Sequence, residues 1–145
     1  MLDVFPQLSP YVPSLAALAL LCLALPVQNL LTAPLAFITG EQVPGMPLRG
    51  DHANLGFRVL RTYANSAESL PAFGFALLLA IVAGGAPTWV NWLAAIHVGF
   101  RLAFWAVYYS GIGKVAGGPR TLCHVGGLVT NVLIAVTALL HLLTS

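Results

Sequence analysis

Charge is what this sequence has least of. Lysine and arginine together number 6 and aspartate and glutamate 4 among 145 residues, so 7% of the chain is charged, where a soluble domain carries about 25%. A soluble globular domain is thereby excluded. Only two cysteines occur, Cys22 and Cys123, both in apolar settings. That rules out a disulfide framework and a thiolate metal site, and leaves both as small core residues. No basic stretch with interleaved aromatics is present, which excludes a nucleic-acid surface. The sequence also lacks internal repeats and low-complexity tracts. No Lys or Arg precedes the first apolar run and no A-x-A site closes it, so that run is expected to remain as an anchor rather than be cleaved as a signal peptide.

Hydrophobic residues make up 59% of the chain and its mean hydropathy is +0.89. Apolar runs cover about 10–38, 54–83, 88–112 and 119–144, each reaching the ~20 residues that a spanning helix needs. The reading is an all-α protein, a four-helix integral membrane bundle in one domain, residues 1–145, in contact with the lipid bilayer. Pro26 and Pro34 should kink the first helix, since each removes a backbone donor. Residues 39–53 are rich in Gly and Pro and read as an irregular loop holding Arg49. The connection at 83–88 is short and uncharged, and 111–119 carries Lys114 and leads into Arg120. Both basic loops lie on one side, which the positive-inside rule makes cytoplasmic, with the termini, one bearing Asp3, on the other.

The few charges inside the spans are ordered. At 100° per residue Arg58, Arg61, Asn65 and Glu68 share a stripe about 80° wide, extended upstream by Asn54. In the third span His97, Arg101, Phe104 and Tyr108 form another, and in the fourth Arg120, His124 and Asn131 lie within about 40° of one another. An ionised side chain at membrane depth costs at least ~2.5–3.5 kcal/mol, so such residues face a bundle interior or a wet cavity. Four arginines, Arg58, Arg61, Arg101 and Arg120, against Glu68 give the site a net charge of about +3. That sign calls for an anion with several acceptors, and the guanidinium fork matches carboxylates bidentately. Glutathione fits: its two carboxylates would take arginines, its ammonium Glu68, and its thiol a further guanidinium as thiolate. Phosphorylated lipids or a quinone head group would use similar chemistry.

The sequence resembles the MAPEG family, the membrane-associated proteins in eicosanoid and glutathione metabolism, in the form of a prokaryotic-type member. The resemblance rests on three segments in order. Arg61, Asn65 and Glu68, followed by Pro71 and Phe73, are similar to the family's second-helix signature; Arg101, Phe104 and Tyr108 resemble its third-helix pattern; Arg120-Thr121 looks like the Arg that opens the fourth helix. The resemblance covers roughly residues 54–140. It implies a homotrimer of four-helix bundles in a bacterial inner membrane, binding glutathione as co-substrate between subunits near the cytoplasmic face. Arg61, Asn65, Glu68, Arg101 and Tyr108 would hold the tripeptide, with Arg58 ranked below them. Arg120 would stabilise the thiolate as the catalytic residue, and no metal is required. The thiolate would attack a hydrophobic electrophile or reduce a lipid hydroperoxide. Three positions depart from the family pattern. Ser69 stands where a Tyr often follows the Glu, Phe104 where a Tyr or His is usual, and residues 10–38 hold no Lys or Arg, with Gln28 and Asn29 as the sole polar substitutes.

Each feature also has a structural explanation. Arg58, Arg61 and Glu68 form an ion network that fixes packing in one reading, and Arg58 pairs with Asp51 or lipid phosphate. His52, His97, His124 and His141 read as hydrogen-bonded packing. Trp89, Trp92, Trp105 and Tyr109 read as interfacial or lipid-facing aromatics, and Gly74, Gly99, Gly126 and Gly127 as points of close helix contact. Three functions follow: a glutathione-dependent transferase or peroxidase, a non-enzymatic lipid-binding protein or accessory subunit of a larger membrane complex, and a haem protein ligated by His97 and His124.

Overall fold

The computed structural model describes residues 5–39, 51–113 and 117–144, so Asp3, Arg49 and Lys114 lie outside the described residues. A short 3-10 helix, Pro6–Tyr11, leads into α1, Val12–Thr39; α2 is Leu55–Val82, α3 Pro87–Ser110 and α4 Pro119–Thr144. The bounds agree with the hydropathy runs to within two residues, apart from the 3-10 lead into α1. All four helices are long and apolar enough to cross a membrane. The protein is an all-α, four-helix integral membrane bundle.

Local chemistry sets the helix ends. The Asn54 side chain caps α2 by accepting from the Gly56 amide at 2.7 Å, satisfying one of the donors that a helix start leaves without a partner. Pro87 and Pro119 open α3 and α4, where a missing amide hydrogen costs nothing. Gly111 closes α3 in the left-handed region at φ 71°, a conformation that a side chain disfavours. Both α1 and α2 run on through internal prolines, Pro26 and Pro34 in one and Pro71 in the other.

In the packing, α1 lies on α2 and α3, and α4 lies on the same pair. The apolar core sits toward the α2–α3 turn and includes Phe73, Leu77, Ala80, Val90, Leu93 and Ile134. Polar ties hold that end. Tyr11 donates to the Gly85 carbonyl, Ser14 Oγ donates to Asn91 Oδ1 at 2.6 Å, and Asn91 Nδ2 donates to the Pro10 carbonyl at 2.8 Å. Trp89 Nε1 donates to Thr137 Oγ1 at 3.1 Å, which ties an aromatic read as interfacial to α4. Large apolar side chains are exposed on every helix, Leu30, Val82, Ile96 and Leu122 among them, as a surface solvated by lipid requires.

The glycines divide. Gly126 is needed at the α3–α4 contact, because a Cβ there would stand 2.4 Å from the Phe100 ring. Gly74 lies 3.3 Å from Leu18 on the same test and Gly127 3.8 Å from its neighbours, whereas Gly99 has nothing within 4 Å. Close contact at Gly99 within the protomer is therefore corrected; it faces outward.

Candidate functional site

At the opposite end of the bundle from the core, α2, α3 and α4 turn polar side chains toward one another. The α3 stripe is buried along its length: His97, Arg101, Phe104 and Tyr108 all belong to the interior. A period of 3.6 places these four side chains above one another on one face, so burying any of them buries the rest.

Arg101 is 4% exposed. Its Nη1 donates to Asn65 Oδ1 at 2.8 Å and its Nη2 to Ser66 Oγ at 3.3 Å, while the guanidinium lies 5.1 Å from the centre of the Phe104 ring. Trp105 Nε1 also donates to Ser66 Oγ, at 3.1 Å. Trp105 therefore belongs to this network, correcting its reading as an interfacial aromatic. All the partners of Arg101 among the described residues are neutral.

Arg120 is equally buried, at 4%. Its Nη1 donates to His52 Nδ1 at 2.9 Å and its Nη2 to the Gly113 carbonyl at 3.1 Å; its Nε is buried without a partner among the described residues. The guanidinium lies 5.2 Å from the centre of the Tyr108 ring, and the Tyr108 hydroxyl reaches the same His52 Nδ1 at 3.2 Å. Since a guanidinium only donates, Nδ1 is the acceptor and the neutral ring carries its proton on Nε2. His52 titrates below the ordinary histidine value. Partial burial is the larger cause and the Arg120 charge the next, with Asp51 opposing and Arg61 and Arg58 adding smaller effects in the same direction. Both causes disfavour imidazolium.

The α2 stripe splits. Asn65 points inward to Arg101, but the Arg61 and Glu68 side chains are 38% and 62% exposed, with Arg61 Nη1 3.8 Å from Glu68 Oε1. That is the one ion pair among the described residues, and its exposure gives it little weight in stability. On the helical wheel Arg61 and Glu68 lie together on one flank of Asn65, so the stripe turns from the interior to the outer surface of the protomer. Arg58 serves the loop: its Nη1 donates to the carbonyls of His52 and Ala53 at 2.8 and 2.7 Å, and it packs against Gly111, where a Cβ would stand 3.0 Å from its Cζ.

Between these groups lies a half-open cavity of about 190 Å³ lined by Asn65, Glu68 and Ser69 of α2, His97 and Arg101 of α3, and His124, Gly127 and Asn131 of α4 among others. Asn131 Oδ1 is buried there without a partner among the described residues. The volume is below the ~300–1,000 Å³ of pockets that enclose a small ligand. His97 is committed to packing: its ring stacks on Phe73 at 4.0 Å, and Nδ1 contacts the Gly127 carbonyl at 3.0 Å and Thr130 Oγ1 at 3.1 Å. Among the described residues no group of His, Cys, Asp and Glu could hold a metal ion.

The structure thus gathers Asn65 with Arg101, and Tyr108 with Arg120, and leaves Arg61 and Glu68 at the rim and Arg58 behind the loop. Besides Trp105, sequence reasoning missed two partners. Ser66 follows Asn65 directly, and a hydroxyl beside an inward asparagine was a readable signal. His52 lies in a connection, where no periodicity marks a facing residue.

Comparison with known proteins places these observations. The sequence model of the MAPEG family matches residues 11–140, which takes in nearly all of the four spans. No curated protein matches the chain.

Proposed function

The chain belongs to the MAPEG family, and from that premise we propose that it is a glutathione-dependent membrane transferase or peroxidase acting on hydrophobic electrophiles or lipid hydroperoxides. One observation carries the reading: Arg101 and Arg120 are both 4% exposed, and neither meets a carboxylate among the described residues. Uncompensated buried cations are costly, and their retention is explained when an anionic ligand completes the site.

In this reading Asn65 and Ser66 aim Arg101, and Arg61 stands at the rim, so that the two guanidinium groups receive the carboxylates of glutathione. Glu68 receives its ammonium. Tyr108 supplies a hydroxyl, and Arg58 supports the loop from behind. Arg120, whose Nε has no partner among the described residues, stabilises the thiolate and so raises the reactive fraction at neutral pH. The thiolate then attacks an electrophilic carbon, either displacing a leaving group that departs with its bonding electrons or opening a conjugated double bond whose carbanion takes up a proton. With a hydroperoxide it takes the distal oxygen, the alkoxide leaves with a proton as the alcohol, and a second glutathione reduces the sulfenic acid to disulfide and water.

The outward flank of Arg61 and Glu68 and the incomplete cavity support a site closed by a neighbouring subunit in a homotrimer, with the basic loops on the cytoplasmic side of a bacterial inner membrane. Conjugation of glutathione to a generic electrophile by detergent-purified protein tests the activity. Turnover lost in Arg120→Ala supports it, and absence of turnover in the wild type removes it. Cross-linking to a trimer supports the shared site, and a stable monomer contradicts it.

A second reading, a non-enzymatic lipid-binding protein or accessory subunit, is favoured by α1. It offers a neighbour no basic residue over 10–38, and of its two polar substitutes Gln28 is buried in its own protomer. That leaves Asn29 to face outward.

A further inference from the structure

Arg120 cannot aim itself. A flexible side chain at the first turn of α4 holds one orientation only if acceptors fix it, and the acceptors here come from two connections: the Gly113 carbonyl at 3.1 Å and His52 Nδ1 at 2.9 Å. His52 also meets the Tyr108 hydroxyl at 3.2 Å, and its ring is held edge-on to Phe57 with centroids 4.9 Å apart. Behind it Arg58 clamps the His52 carbonyl at 2.8 Å. One imidazole nitrogen therefore joins the loop before α2, the end of α3 and the start of α4.

We propose that His52 is a positioning residue that, as a neutral acceptor, sets the Arg120 guanidinium and the Tyr108 hydroxyl at the thiol end of the site. The inference rests on the glutathione reading above and adds a residue from outside the helices to it. A role as the base that takes the thiol proton is disfavoured by the same geometry. Nδ1 already accepts from Arg120, and a second positive charge beside that guanidinium would be repelled. The charged and titratable groups facing His52 are Arg120 of α4, Tyr108 of α3, Arg58 and Arg61 of α2, and Asp51 of its own loop. Four of the five are cationic or neutral, so protonation of His52 would both remove the acceptor and push Arg120 away.

Three forms of the full-length protein in detergent test this: wild type, His52→Ala and His52→Asn, the last placing an amide oxygen near the position of Nδ1. The expected result is a fall of roughly tenfold in kcat and in the glutathione-induced thiolate absorbance for His52→Ala, the size expected when a hydrogen bond to a charged group is lost. KM for glutathione changes less than threefold, and His52→Asn recovers most of the loss. Equal kcat and thiolate amplitude in His52→Ala would overturn the proposal, and so would His52→Asn behaving like His52→Ala. A second measurement needs no glutathione. In 15N-histidine spectra the His52 pKa should rise in Arg120→Gln, and an unchanged value would overturn the contact itself. If wild type shows no thiolate signal while this shift is present, the glutathione reading fails and the Arg120–His52 contact stands.

Discussion

Replacing Asn65 by leucine, alone and together with Arg101→Met, distinguishes a charge kept for a ligand from a charge that holds the bundle together. In wild type the Arg101 guanidinium is buried and donates to Asn65 Oδ1 at 2.8 Å and to Ser66 Oγ at the longer distance of 3.3 Å. Asn65→Leu removes the shorter bond and leaves the charge in place, a loss of about 1.5–3 kcal/mol for a hydrogen bond to a charged group. Adding Arg101→Met removes the charge as well, which returns the ~2.5–3.5 kcal/mol that an ionised group costs at membrane depth. It gives up the weaker bond to Ser66, but Trp105 still donates to that hydroxyl at 3.1 Å. Two polar partners are then replaced by apolar groups of similar size, a change that is close to neutral. The double variant should therefore lie within about 1 kcal/mol of wild type and above the single variant. Reversible unfolding in mixed detergent, followed by tryptophan fluorescence, measures the order. Saturating glutathione should stabilise wild type by about 2.7 kcal/mol at a hundred times its Kd and leave the double variant unmoved. A double variant less stable than Asn65→Leu would refute the reasoning, because Arg101 would then be a structural tie.

Three further outcomes follow from the same contacts. Glu68→Gln should leave unfolding within about 0.5 kcal/mol of wild type, since the pair with Arg61 is exposed, yet weaken glutathione binding by roughly tenfold in calorimetry; a large stability loss with unchanged affinity would reverse that assignment. Tyr11→Phe, at the far end of the bundle, should cost about 1 kcal/mol through its lost bond to Gly85 and leave kcat/KM unchanged. Stability should also depend on pH through His52. Its folded pKa is below 6.5, so the unfolded chain binds the proton first as pH falls, and stability is whole above pH 6.5 and declines below it. The part of the slope lost in His52→Asn measures this group, and an identical pH profile in that variant would exclude it.

The helices were legible because hydropathy reports burial in lipid directly, and the α3 stripe was legible because helical periodicity is rigid: His97, Arg101, Phe104 and Tyr108 turned out to share one buried face. Periodicity gave the direction of the α2 stripe less well. Asn65, Arg61 and Glu68 lie within one sector, but the interior edge passes between them, and where it falls depends on how α2 rests on its neighbours. Contacts between a connection and a helix carry no period at all, which is why His52 read as packing and Arg58 as a partner of Asp51 or lipid. Arg58 instead binds the carbonyls of His52 and Ala53. Trp105 lies about 40° from Arg101 on the wheel, so its place in the network was within reach of the same arithmetic. On sequence alone its indole reads as a lipid-boundary aromatic, because aromatics collect there. Gly99 carried the same small-residue signal as Gly126, and only the position of Phe100 separates them.

The central claim is that the buried cations of this bundle exist to bind and ionise glutathione, with Arg120 facing the sulfur. The direct measurement is the ultraviolet difference spectrum on adding glutathione to wild type and to Arg120→Ala at neutral pH. The account predicts a thiolate band in wild type, saturating with glutathione, and its loss in Arg120→Ala with binding retained. A protein that binds no glutathione at millimolar concentration, or an undiminished band in Arg120→Ala, would contradict it.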